Sequence, residues 1–581
     1  MPSGTVAVLG GGVAGLSAAH ELVERGFSVT VYERSARFGG KARSYGVTGS
    51  GTDGRHDLPA EHGFRFFPGF YRHLPDTMKR IPGPRPGHPV FDELVAADRM
   101  MLARENGADE LITAAHAPAS LDDFAAVTKF MFTVCTGLGI SPEDQVFFVD
   151  RLLVLLTSCD ERRFGQWELQ SWWQFVDAEH RSAGFRRFLA DGLTRMLVAA
   201  QAQEISARTG GYILLQLIFD LSRAGGHADR LLDGPTSEVW IDPWVAHLRG
   251  AGVQLRTDTE VDGIDCVHGR IAAVTVDHHG ARETVTAEHY VAAMPVEQLR
   301  PLLSTALVRA EPRLDGTRRL RTRWMNGVMF YLHRDVPILA GHTIYSDSDW
   351  ALTSISQRQF WPRTDFARLG DGHVGGILSV DVSDWERPSR RTGKVASKCS
   401  ADEIKAEVWA QLKDHLNDPG HVVLEDANLA SAFLDEDITF PNPSATANAE
   451  PLLINTAGSW ADRPEAVTSV PNLFLASDFV RTHTDLATME GANEAARRAV
   501  NGILDAARSS ARRCEVWKPA EPAIFGPARL LDRVRWKLGQ RPAKPPLRVT
   551  ADGGLEPVGL VGRLALRWSR GPIRPGRRRP R

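Results

Sequence analysis

The pattern of hydrophobic and polar positions at the start of the chain predicts a strand, a helix and a second strand. Thr5 to Leu9 and Phe27 to Tyr32 are short apolar runs rich in β-branched residues, which favours buried strands. Between them, apolar residues recur at helical spacing from Leu16 to Val23, and Gly26 then ends the helical pattern. This part of the chain therefore predicts one β-α-β unit.

Residues 85–235 have a different pattern, dominated by helical spacing. The clearest predicted helices are Leu121 to Thr136, Pro142 to Leu156 and Gly211 to Arg223. Aromatic residues are dense in the same region, at Phe164, Trp167, Trp172, Trp173 and Phe175. The segment predicts a helical domain that caps a substrate site, and a plain helical core is the alternative interpretation of each tryptophan.

Strands return after residue 235. Ile271 to Val276 and Glu283 to Glu288 alternate like the two arms of a hairpin. Farther on, Asn326 to Leu332 and Gly376 to Val380 predict strands, and Lys398 to Leu416 predicts an amphipathic helix. We expect this half of the chain to supply the sheet floor of a substrate cavity.

Composition places the chain among ordinary globular proteins of more than one core. It has 581 residues, of which 43% are hydrophobic and 24% charged, with a formal net charge of −2. The five scattered cysteines argue against a disulfide framework and a zinc site, and they fit a reducing compartment. The chain opens directly on the first strand and no apolar run approaches a membrane-spanning length, so we expect no signal peptide and a cytoplasmic location.

Three glycines between the first strand and the helix form the pattern G-x-G-x-x-G. Gly10 permits a tight turn, Gly12 lets the backbone approach a pyrophosphate, and Gly15 lets the helix and strand pack closely. Val13 and Ala14 begin the helix, whose free N–H groups and partial positive charge attract phosphates. In this context the pattern predicts a dinucleotide site, and a glycine-rich turn without a ligand is the alternative.

An acid ends the second strand of the same unit. Glu33 can accept both hydroxyl groups of a ribose and would repel a 2′-phosphate, which argues against NADP. The fingerprint alone fits both NAD and FAD. The residues that follow distinguish the two cofactors.

A second glycine turn follows Glu33 within ten residues. This continuation, acid-R-x(4)-G-G-x-x-x-S, resembles that of the glutathione-reductase-like flavoproteins, where it lies along the FAD pyrophosphate and ribityl chain. The resemblance implies FAD as the cofactor. It also implies cofactor contacts from Arg34, Gly39, Gly40, Lys41, Ala42 and Arg43.

The aromatic segment Leu58 to Tyr71 predicts a pocket wall. It is similar to the E-x-G-x-H-x-F-x-G-x-Y segment of phytoene and ζ-carotene desaturases and hydroxysqualene dehydroxylases, which runs beneath the flavin. The resemblance implies cofactor contacts from Glu61, His62, Gly63 and Phe64. Arg65 replaces the family's histidine, and we interpret it as a cation that faces the flavin or a substrate carbocation. A salt bridge with Glu61 or Asp57 is the alternative role of Arg65.

A second anchor lies near residue 480, where a buried strand ends at Asp478 and a helix begins about twelve residues later. It is similar to the flavoprotein signature (G/S)-D…T-M-E-G-A. The resemblance implies that Asp478 holds the ribityl chain, that the backbone of Val261 contacts the adenine, and that the helix start lies at the flavin pyrimidine. The helix-start residues are Thr488, Met489, Gly491 and Ala492. His483 and Asp485, in the loop before this helix, are candidate acid–base groups.

Together these motifs resemble the flavin amine oxidase and phytoene desaturase superfamily, nearest its carotenoid desaturase and hydroxysqualene dehydroxylase branch. The resemblance implies an α/β fold: a glutathione-reductase-like FAD-binding Rossmann domain with an interleaved, mixed α+β substrate domain. The implied segments are an FAD-binding domain at 1–84, 236–300 and 451–510, a helical cap at 85–235, a substrate sheet at 301–450 and a basic tail at 511–581.

The predicted activity is an FAD-dependent oxidoreductase, a desaturase or dehydrogenase that removes hydride from an apolar, isoprenoid or carotenoid-like substrate. No second dinucleotide fingerprint follows another strand, so electrons would leave to a quinone, oxygen or another acceptor. An amine or amino-acid oxidase and a redox-neutral isomerase or dehydroxylase are alternatives, as is a flavin-binding protein without catalysis. The predicted chemistry requires no metal.

The C-terminal tail predicts an attachment surface. Residues 527–581 contain fifteen Lys or Arg residues against three acidic ones. Within Pro527 to Leu538, Leu531, Val534 and Leu538 share one helical face among basic residues, and Leu564 to Trp568 repeats the pattern. An anionic membrane surface on the inner face of the membrane is the favoured partner, and a solvated tail is the alternative. Nucleic acid is not expected.

Overall fold

The computed structural model shows two halves, each built around a large sheet. A five-stranded parallel sheet forms one of them. The strand order is Leu473–Leu475, His289–Ala292, Thr5–Leu9, Ser28–Tyr32, Gln254–Arg256. These strands come from three parts of the chain that are far apart in sequence, so one Rossmann-like sheet is built from separated segments. The structure describes residues 4–97, 99–105, 110–113, 121–192, 194–195, 199–221, 229–442, 445–559 and 562–563.

Two helices pack closely against this sheet and against each other. Val13–Val23 buries its apolar stripe, including Leu16 and Leu22, and Met489–Ala506 buries a stripe of alanines. The small side chains let the two helices approach, and Asn493 of the second donates a hydrogen bond to Ser17 of the first at 2.8 Å. The predicted strand–helix–strand unit at the start of the chain is confirmed.

A three-stranded antiparallel sheet lies beside the parallel one. Its strands are Thr259–Val267, Arg270–His278 and Ala281–Val285. The last two strands are the predicted hairpin, which is confirmed with slightly different bounds.

A seven-stranded mixed sheet forms the other half of the molecule. Its order is Leu429–Leu434, Asn326–Leu332, Gly376–Val382, Leu352–Ser356, Gly341–Tyr345, Arg99–Ala103, Glu110–Thr113. Helix Ala401–Leu416, which begins at a Ser400–Glu403 capping box, covers one face of the sheet. The opposite face is turned toward the segment around Gly63, since the backbone N–H of Gly327 donates to the carbonyl of His62 at 2.7 Å.

The segment predicted as a helical cap is only partly helical. Arg99–Ala103 and Glu110–Thr113 belong to the substrate sheet, and Leu94–Ala97 pairs with Asp229–Leu232. These strands are four or five residues long and lack a clear alternation of apolar and polar residues, so the hydrophobic pattern did not distinguish them from loops. The other bounds of the predicted domains stay predictions.

The three predicted helices of the cap are confirmed, although the predicted end of the third, Arg223, lies outside the described residues. The described helices of the cap include Leu121–Gly137, Pro142–Thr157, Asp160–Gly165, Trp172–Phe175 and Ala207–Leu221, together with the π-helix Phe185–Gly192. Ser141 caps the second of them by accepting a hydrogen bond from the N–H of Asp144 at 3.3 Å. Trp167, Trp172 and Phe175 are buried in the cap's own core, which favours the core interpretation of these aromatic residues over a role in substrate contact.

Part of the predicted tail belongs to the folded cap. Helix Gly526–Lys537 confirms the predicted tail helix, and Leu547–Val549 pairs with Leu555–Pro557. Phe525, Leu547 and Val549 complete the core of the cap. The second predicted apolar patch, Leu564 to Trp568, lies outside the described residues.

The remaining elements are short. They include the helices His73–Met78, Asp242–Gly250, Val296–Leu299 and Thr305–Ala310 and the strands Ser44–Gly46, Pro59–Glu61, Arg321–Arg323, Ile438–Asn442, Ala445–Asn448 and Leu452–Ile454. Among the described residues, none of the helices is both long and apolar enough to cross a membrane.

Candidate active site

One continuous cavity of about 530 Å³ begins at the carboxyl edge of the parallel sheet. Gly10, Glu33 and Ala293 follow directly on three neighbouring strands of that sheet, and all three line the cavity. Ligands of open parallel sheets bind at this edge. The other end of the cavity lies between the cap and the seven-stranded sheet.

The first glycine turn closes tightly around this edge. Gly10 has a φ of +114°, which favours glycine, and a Cβ there would lie 3.0 Å from the carbonyl group of Ala293. A Cβ at Gly15 would lie 1.9 Å from the carbonyl oxygen of Gly10, so the helix touches the turn. Gly15 itself does not line the cavity, and its position fits a packing role.

The start of helix Val13–Val23 fits a pyrophosphate. Gly12 is the N-cap and gives the helix no side-chain hydrogen bond, so the first N–H groups need another acceptor. Gly12, Val13 and Ala14 all line the cavity. A Cβ at Gly12 would lie 3.7 Å from the nearest protein atom, so a side chain would fit the protein but would project into the space proposed for the phosphates.

Glu33 is held in place by backbone groups. The N–H of Gly11 donates to its carboxylate at 2.7 Å and that of Ser35 at 2.9 Å. Burial raises the pKa of Glu33, and these two hydrogen bonds act in the opposite direction. The carboxylate lines the cavity with lone pairs left for ribose hydroxyl groups.

The second glycine turn lies against the first. The N–H of Gly39 donates to the carbonyl of Gly11 at 2.9 Å, and Lys41 pairs with Glu297 at 3.1 Å. The predicted cofactor residues Arg34, Gly39, Gly40, Lys41 and Ala42 line the cavity. Arg43 does not; it donates to the carbonyl of Gly40 at 2.8 Å and so supports the turn from behind.

The start of the second long helix lies at the far side of the same cavity. Thr488 caps Met489–Ala506 by accepting a hydrogen bond from the N–H of Gly491 at 3.1 Å. The predicted residues Val261, Asp478, Thr488, Met489 and Ala492 line the cavity, and Gly491 does not. A cofactor that binds along both glycine turns would therefore reach a second helix N-terminus, whose dipole favours negative charge.

The aromatic segment forms the wall between the two ends of the cavity. His62, Gly63, Phe64, Phe66 and Tyr71 line it. Glu61 does not line the cavity; its carboxylate accepts hydrogen bonds from the N–H and the hydroxyl of Thr236, at 2.9 and 2.8 Å. Glu61 therefore fixes the segment to the FAD-binding half rather than contacting the cavity.

His62 is the centre of a buried charge network. Its Nδ1 lies 2.8 Å from the carboxylate of Asp435 and 3.0 Å from that of Asp437. Burial alone would lower the pKa of His62, but the two carboxylates outweigh it and raise the pKa to about 9. Tyr45 donates a hydrogen bond to Asp435 at 2.8 Å and Arg43 pairs with Asp437. The three residues are metal-ligand types, but these extra donors favour an ion-pair network around an imidazolium.

Arg65 lines the cavity as a cation whose guanidinium faces carbonyl groups. It donates to the carbonyl of Gly63 at 2.7 Å and also to that of Lys41. Glu61 is the carboxylate whose charge acts on Arg65 most strongly, but in the described part of the chain no acidic side chain forms a salt bridge with Arg65, so the alternative pairing with Glu61 or Asp57 is not formed. Burial lowers the pKa of Arg65, which nearby carboxylates partly offset.

The structure does not bring the other two predicted acid–base residues to the cavity. Asp485 is buried and pairs with both Arg208 and Arg463, each at 2.6 Å. Burial lowers the pKa of His483 to about 4, with the charge of Arg498 acting in the same direction. Asp485 therefore has a structural position, and neither residue is placed to exchange a proton with a substrate in the cavity.

Sequence reasoning missed several ionisable residues that line the cavity, among them Glu260, Asp262, Glu450 and Asp381. Asp381 lines it from the buried strand Gly376–Val382 of the substrate sheet. A charged residue inside a buried strand was the available signal, since such residues are rare unless paired. The apolar residues that line the same end also come from distant segments: Ile205, Ile213, Leu217, Met325, Leu452, Leu453 and Ile454.

Comparison with known proteins agrees with this geometry. The family model of flavin-containing amine oxidoreductases matches residues 13–504. The ζ-carotene desaturase of Synechocystis sp. is 24% identical over 542 residues, covering 86% of this chain and 97% of that protein. The flavin-dependent L-tryptophan oxidase of Lentzea aerocolonigenes is 27% identical over 327 residues, 52% of this chain and 60% of that protein.

The fold has solved counterparts. A putrescine oxidase superposes with a TM-score of 0.57 at 15% identity, covering 86% of this chain and 99% of that one. The predicted α/β fold class and the predicted FAD cofactor are confirmed, as is the resemblance to the carotenoid desaturase branch. The individual cofactor contacts stay predictions. The chain belongs to the flavin-containing amine oxidoreductase family and is an FAD-dependent oxidoreductase.

Proposed function

We propose that the protein is a desaturase that removes hydride from an apolar, isoprenoid or carotenoid-like substrate. The observation that carries this proposal is the chemistry of the cavity beyond the glycine turns. Its walls there are mostly apolar, and they include Phe66, Phe70, Ile213, Leu217 and Ile454. A substrate without polar groups would bind there by burial of its apolar surface. The similarity to a ζ-carotene desaturase along most of both chains supports the same substrate class.

The protein's own residues would orient the substrate, exclude water and place charge beside the cofactor. FAD supplies the hydride acceptor when bound. The cap helix Ala207–Leu221 closes the apolar end with Ile213 and Leu217, which keeps water away from the reacting carbons. Arg65 places positive charge at the wall where the two ends of the cavity meet, whereas the charge of His62 is balanced by Asp435 and Asp437. Positive charge there would stabilise a ring that gains electrons.

Turnover with an external acceptor tests this proposal. The purified holoenzyme would be given ζ-carotene in anionic liposomes together with a soluble quinone. We expect a product with a longer conjugated chain, seen as absorbance at longer wavelength, and an equal amount of reduced quinone. A rearranged product without quinone reduction would instead support a redox-neutral isomerase and contradict the proposal. Oxygen in place of the quinone shows which acceptor is used.

Arg65 supports a second candidate, an amino-acid oxidase. It is a cation in the cavity without a salt bridge to a described acidic side chain, and such a group can bind a substrate carboxylate. The similarity to an L-tryptophan oxidase over about half of the chain points the same way. The variant Arg65→Gln distinguishes the amino-acid oxidase function from the desaturase function. An amino-acid oxidase would lose affinity for its substrate, whereas a desaturase would keep its affinity for the polyene.

We also propose that the tail helix Gly526–Lys537 attaches the enzyme to an anionic membrane surface. Asp532 and Trp536 turn one face of this helix toward the cap, where Asp532 pairs with Arg162 at 3.0 Å. The opposite face is apolar and exposed: Leu530, Leu531, Val534 and Leu538 are 63%, 46%, 55% and 65% exposed. On the helical wheel Arg533 and Lys537 lie beside this apolar arc on one flank and Arg535 on the other. An amphipathic face of this kind lies in the interface of an anionic bilayer.

Liposome binding tests the surface. The intact protein should co-sediment with anionic liposomes at low salt and be released by high salt or from neutral liposomes. Replacing Leu531 and Val534 by Ser should abolish binding without loss of FAD. Replacing Leu169, a residue that is 64% exposed elsewhere on the cap, is the matched control and should have no effect. Equal binding by the two variants would contradict the assignment of this face.

A further inference from the structure

Asp381 lies on the face of the substrate sheet that is turned toward the cavity. Side chains alternate along the buried strand Gly376–Val382, so Leu378 and Val380 point to one face and Asp381 to the other. Leu378 and Val380 pack in the core beneath helix Ala401–Leu416. The opposite face therefore carries Asp381 to the cavity, which it lines.

Two glycines make room for this carboxylate. A Cβ at Gly63 would lie 2.6 Å from Oδ1 of Asp381. Gly327 stands opposite Asp381 on the neighbouring strand, and a Cβ there would lie 3.0 Å from the Cα of Gly63. Because Gly63 and Gly327 have no side chains, the carboxylate of Asp381 fits between the sheet and the aromatic segment and reaches the space beside the cofactor site.

The carboxylate is buried and incompletely satisfied. Asp381 is 4% exposed, and its Oδ1 has no hydrogen-bond partner among the described residues. Arg65 lines the same cavity and exerts an attractive charge on it, but the two form no salt bridge. A buried anionic oxygen without a partner is costly, so its position is explained if a bound molecule uses it.

The surroundings could also carry a proton away. Thr353 stands opposite Asp381 on the other neighbouring strand, and Ser379 lies two residues along the same face. The hydroxyl groups of both are buried without a partner among the described residues. Polar atoms of this kind hold ordered water in protein interiors.

The acidity of the group suits proton transfer near neutral pH. Burial raises the pKa of Asp381 to about 7, while the charges of Arg65 and His62 and the N–H of Phe64 act in the opposite direction and the charge of Glu61 adds to the rise. A general base works best when its pKa lies near the operating pH.

We propose that Asp381 is the catalytic base of the desaturation, an inference that rests on the proposed function. FAD, when bound, would accept a hydride from one substrate carbon, and a quinone or oxygen would take up the two electrons. A C–H bond on the adjacent carbon would break; its electron pair would form the new C=C bond and its proton would pass to the Asp381 carboxylate. The proton would then leave through water.

Single-turnover reduction of the flavin by ζ-carotene, without oxygen, tests the base. In the wild-type holoenzyme the rate should rise with pH through an apparent pKa near 7. Asp381→Asn should keep its FAD and its affinity for ζ-carotene but react about 100-fold more slowly or worse, without that pH dependence. Asp229→Asn is the matched control, because Asp229 is a buried carboxyl with a pKa also raised to about 7 that does not line the cavity. A rate for Asp381→Asn within about threefold of wild type would overturn the proposal, since a general base contributes far more.

A measurement without substrate separates this inference from the proposed function. Infrared spectra of the oxidised holoenzyme are recorded as the pH falls through about 7, and those of Asp381→Asn are subtracted. We expect the difference spectrum, wild type minus Asp381→Asn, to contain the band of a protonated carboxyl group. The Asp229→Asn control should still show this band. If ζ-carotene fails to reduce the flavin even in the wild type, the desaturase function is overturned. The infrared band still shows, independently of that result, whether Asp381 accepts a proton in the cavity. Identical titrations of wild type and Asp381→Asn would overturn the role of Asp381 itself.

Discussion

Arg43 donates two hydrogen bonds from Nη2 to the carboxylate of Asp437, at 2.9 and 2.8 Å. Arg43 belongs to the second glycine turn and Asp437 to the loop after strand Leu429–Leu434 of the substrate sheet. A buried ion pair therefore joins the FAD-binding half to the substrate half beside the cavity. Asp437 also lies 3.0 Å from Nδ1 of His62, which lines the cavity itself.

We expect Asp437→Asn to destabilise the protein strongly. Removing one partner of a buried pair leaves Arg43 without its counter-charge, which costs about 3–5 kcal/mol. Urea unfolding at saturating FAD measures this loss. Glu436→Gln is the neighbouring control. Glu436 is half-exposed, pairs with exposed Arg37 at 3.1 Å and lies farther from Arg43, at 4.0 Å, so its effect should stay below about 1 kcal/mol. Equal effects of the two variants would show that the Arg43–Asp437 pair does not hold the halves together.

The same network predicts a pH dependence of stability. The pKa of His62 is raised from 6.5 to about 9, so the folded state binds the proton more tightly than the unfolded state. Its stabilising contribution is complete below pH 6.5 and is lost as the pH rises toward about 9. We expect the difference in unfolding free energy between wild type and His62→Gln to shrink by about 3 kcal/mol over that range. A difference that does not change with pH would contradict the imidazolium assignment.

Valine substitutions at two glycines of the first turn should impair different properties of the protein. A side chain at Gly12 meets no protein atom closer than 3.7 Å, whereas one at Gly15 would collide with the carbonyl oxygen of Gly10 at 1.9 Å. We therefore expect Gly12→Val to fold but to lack FAD, and Gly15→Val to lose folding stability as well. Flavin absorbance and thermal unfolding separate the two outcomes. Normal FAD content in Gly12→Val would refute the placement of the pyrophosphate.

Glu33→Ala should weaken FAD binding by about 1–3 kcal/mol. The substitution removes the acceptor of ribose hydroxyl groups and also leaves the N–H groups of Gly11 and Ser35 without their partner. Glu33→Gln keeps an oxygen acceptor for one of those groups and should lose less. Titration of the FAD-free protein with FAD gives both affinities, and a larger loss for Gln than for Ala would contradict this account.

The motifs of the FAD-binding half were predictable because they are local. The turn at Gly10 and the acid at Glu33 each follow directly on a strand, and Thr488 begins a helix within a short run of special residues. Their physical requirements, a φ that favours glycine or a free helix N-terminus, are visible in single residues. Their meeting around one cavity followed from the order of strands in a parallel sheet.

The substrate half was less predictable because its contacts are non-local. Asp381 reaches the cavity only because Gly63 and Gly327, more than fifty residues away from it along the chain, leave a gap. Strands Arg99–Ala103 and Glu110–Thr113 pair with each other but join a sheet whose other strands lie over two hundred residues farther on, so their short patterns did not show which sheet they belong to. The His62 network likewise depends on acids at 435 and 437 that no spacing rule connects to it.

Asp532 should be essential for the tail helix. It accepts hydrogen bonds from the guanidinium of Arg162 and from the N–H of Cys159, at 3.0 and 2.9 Å. Asp532→Ala leaves the buried Arg162 unpaired, and we expect a loss of about 3–5 kcal/mol together with faster proteolysis near residue 526. Asp552→Ala, in an exposed turn of the same tail, should change neither. Unchanged proteolysis in Asp532→Ala would contradict the packing of this helix on the cap.

Flavin reduction without oxygen tests the central claim most directly. The oxidised wild-type holoenzyme is mixed separately with ζ-carotene in liposomes, with putrescine and with L-tryptophan, and the flavin absorbance is followed. If the apolar end of the cavity binds an isoprenoid, ζ-carotene alone should bleach the flavin. Bleaching by putrescine or L-tryptophan, with no response to ζ-carotene, would contradict the desaturase assignment.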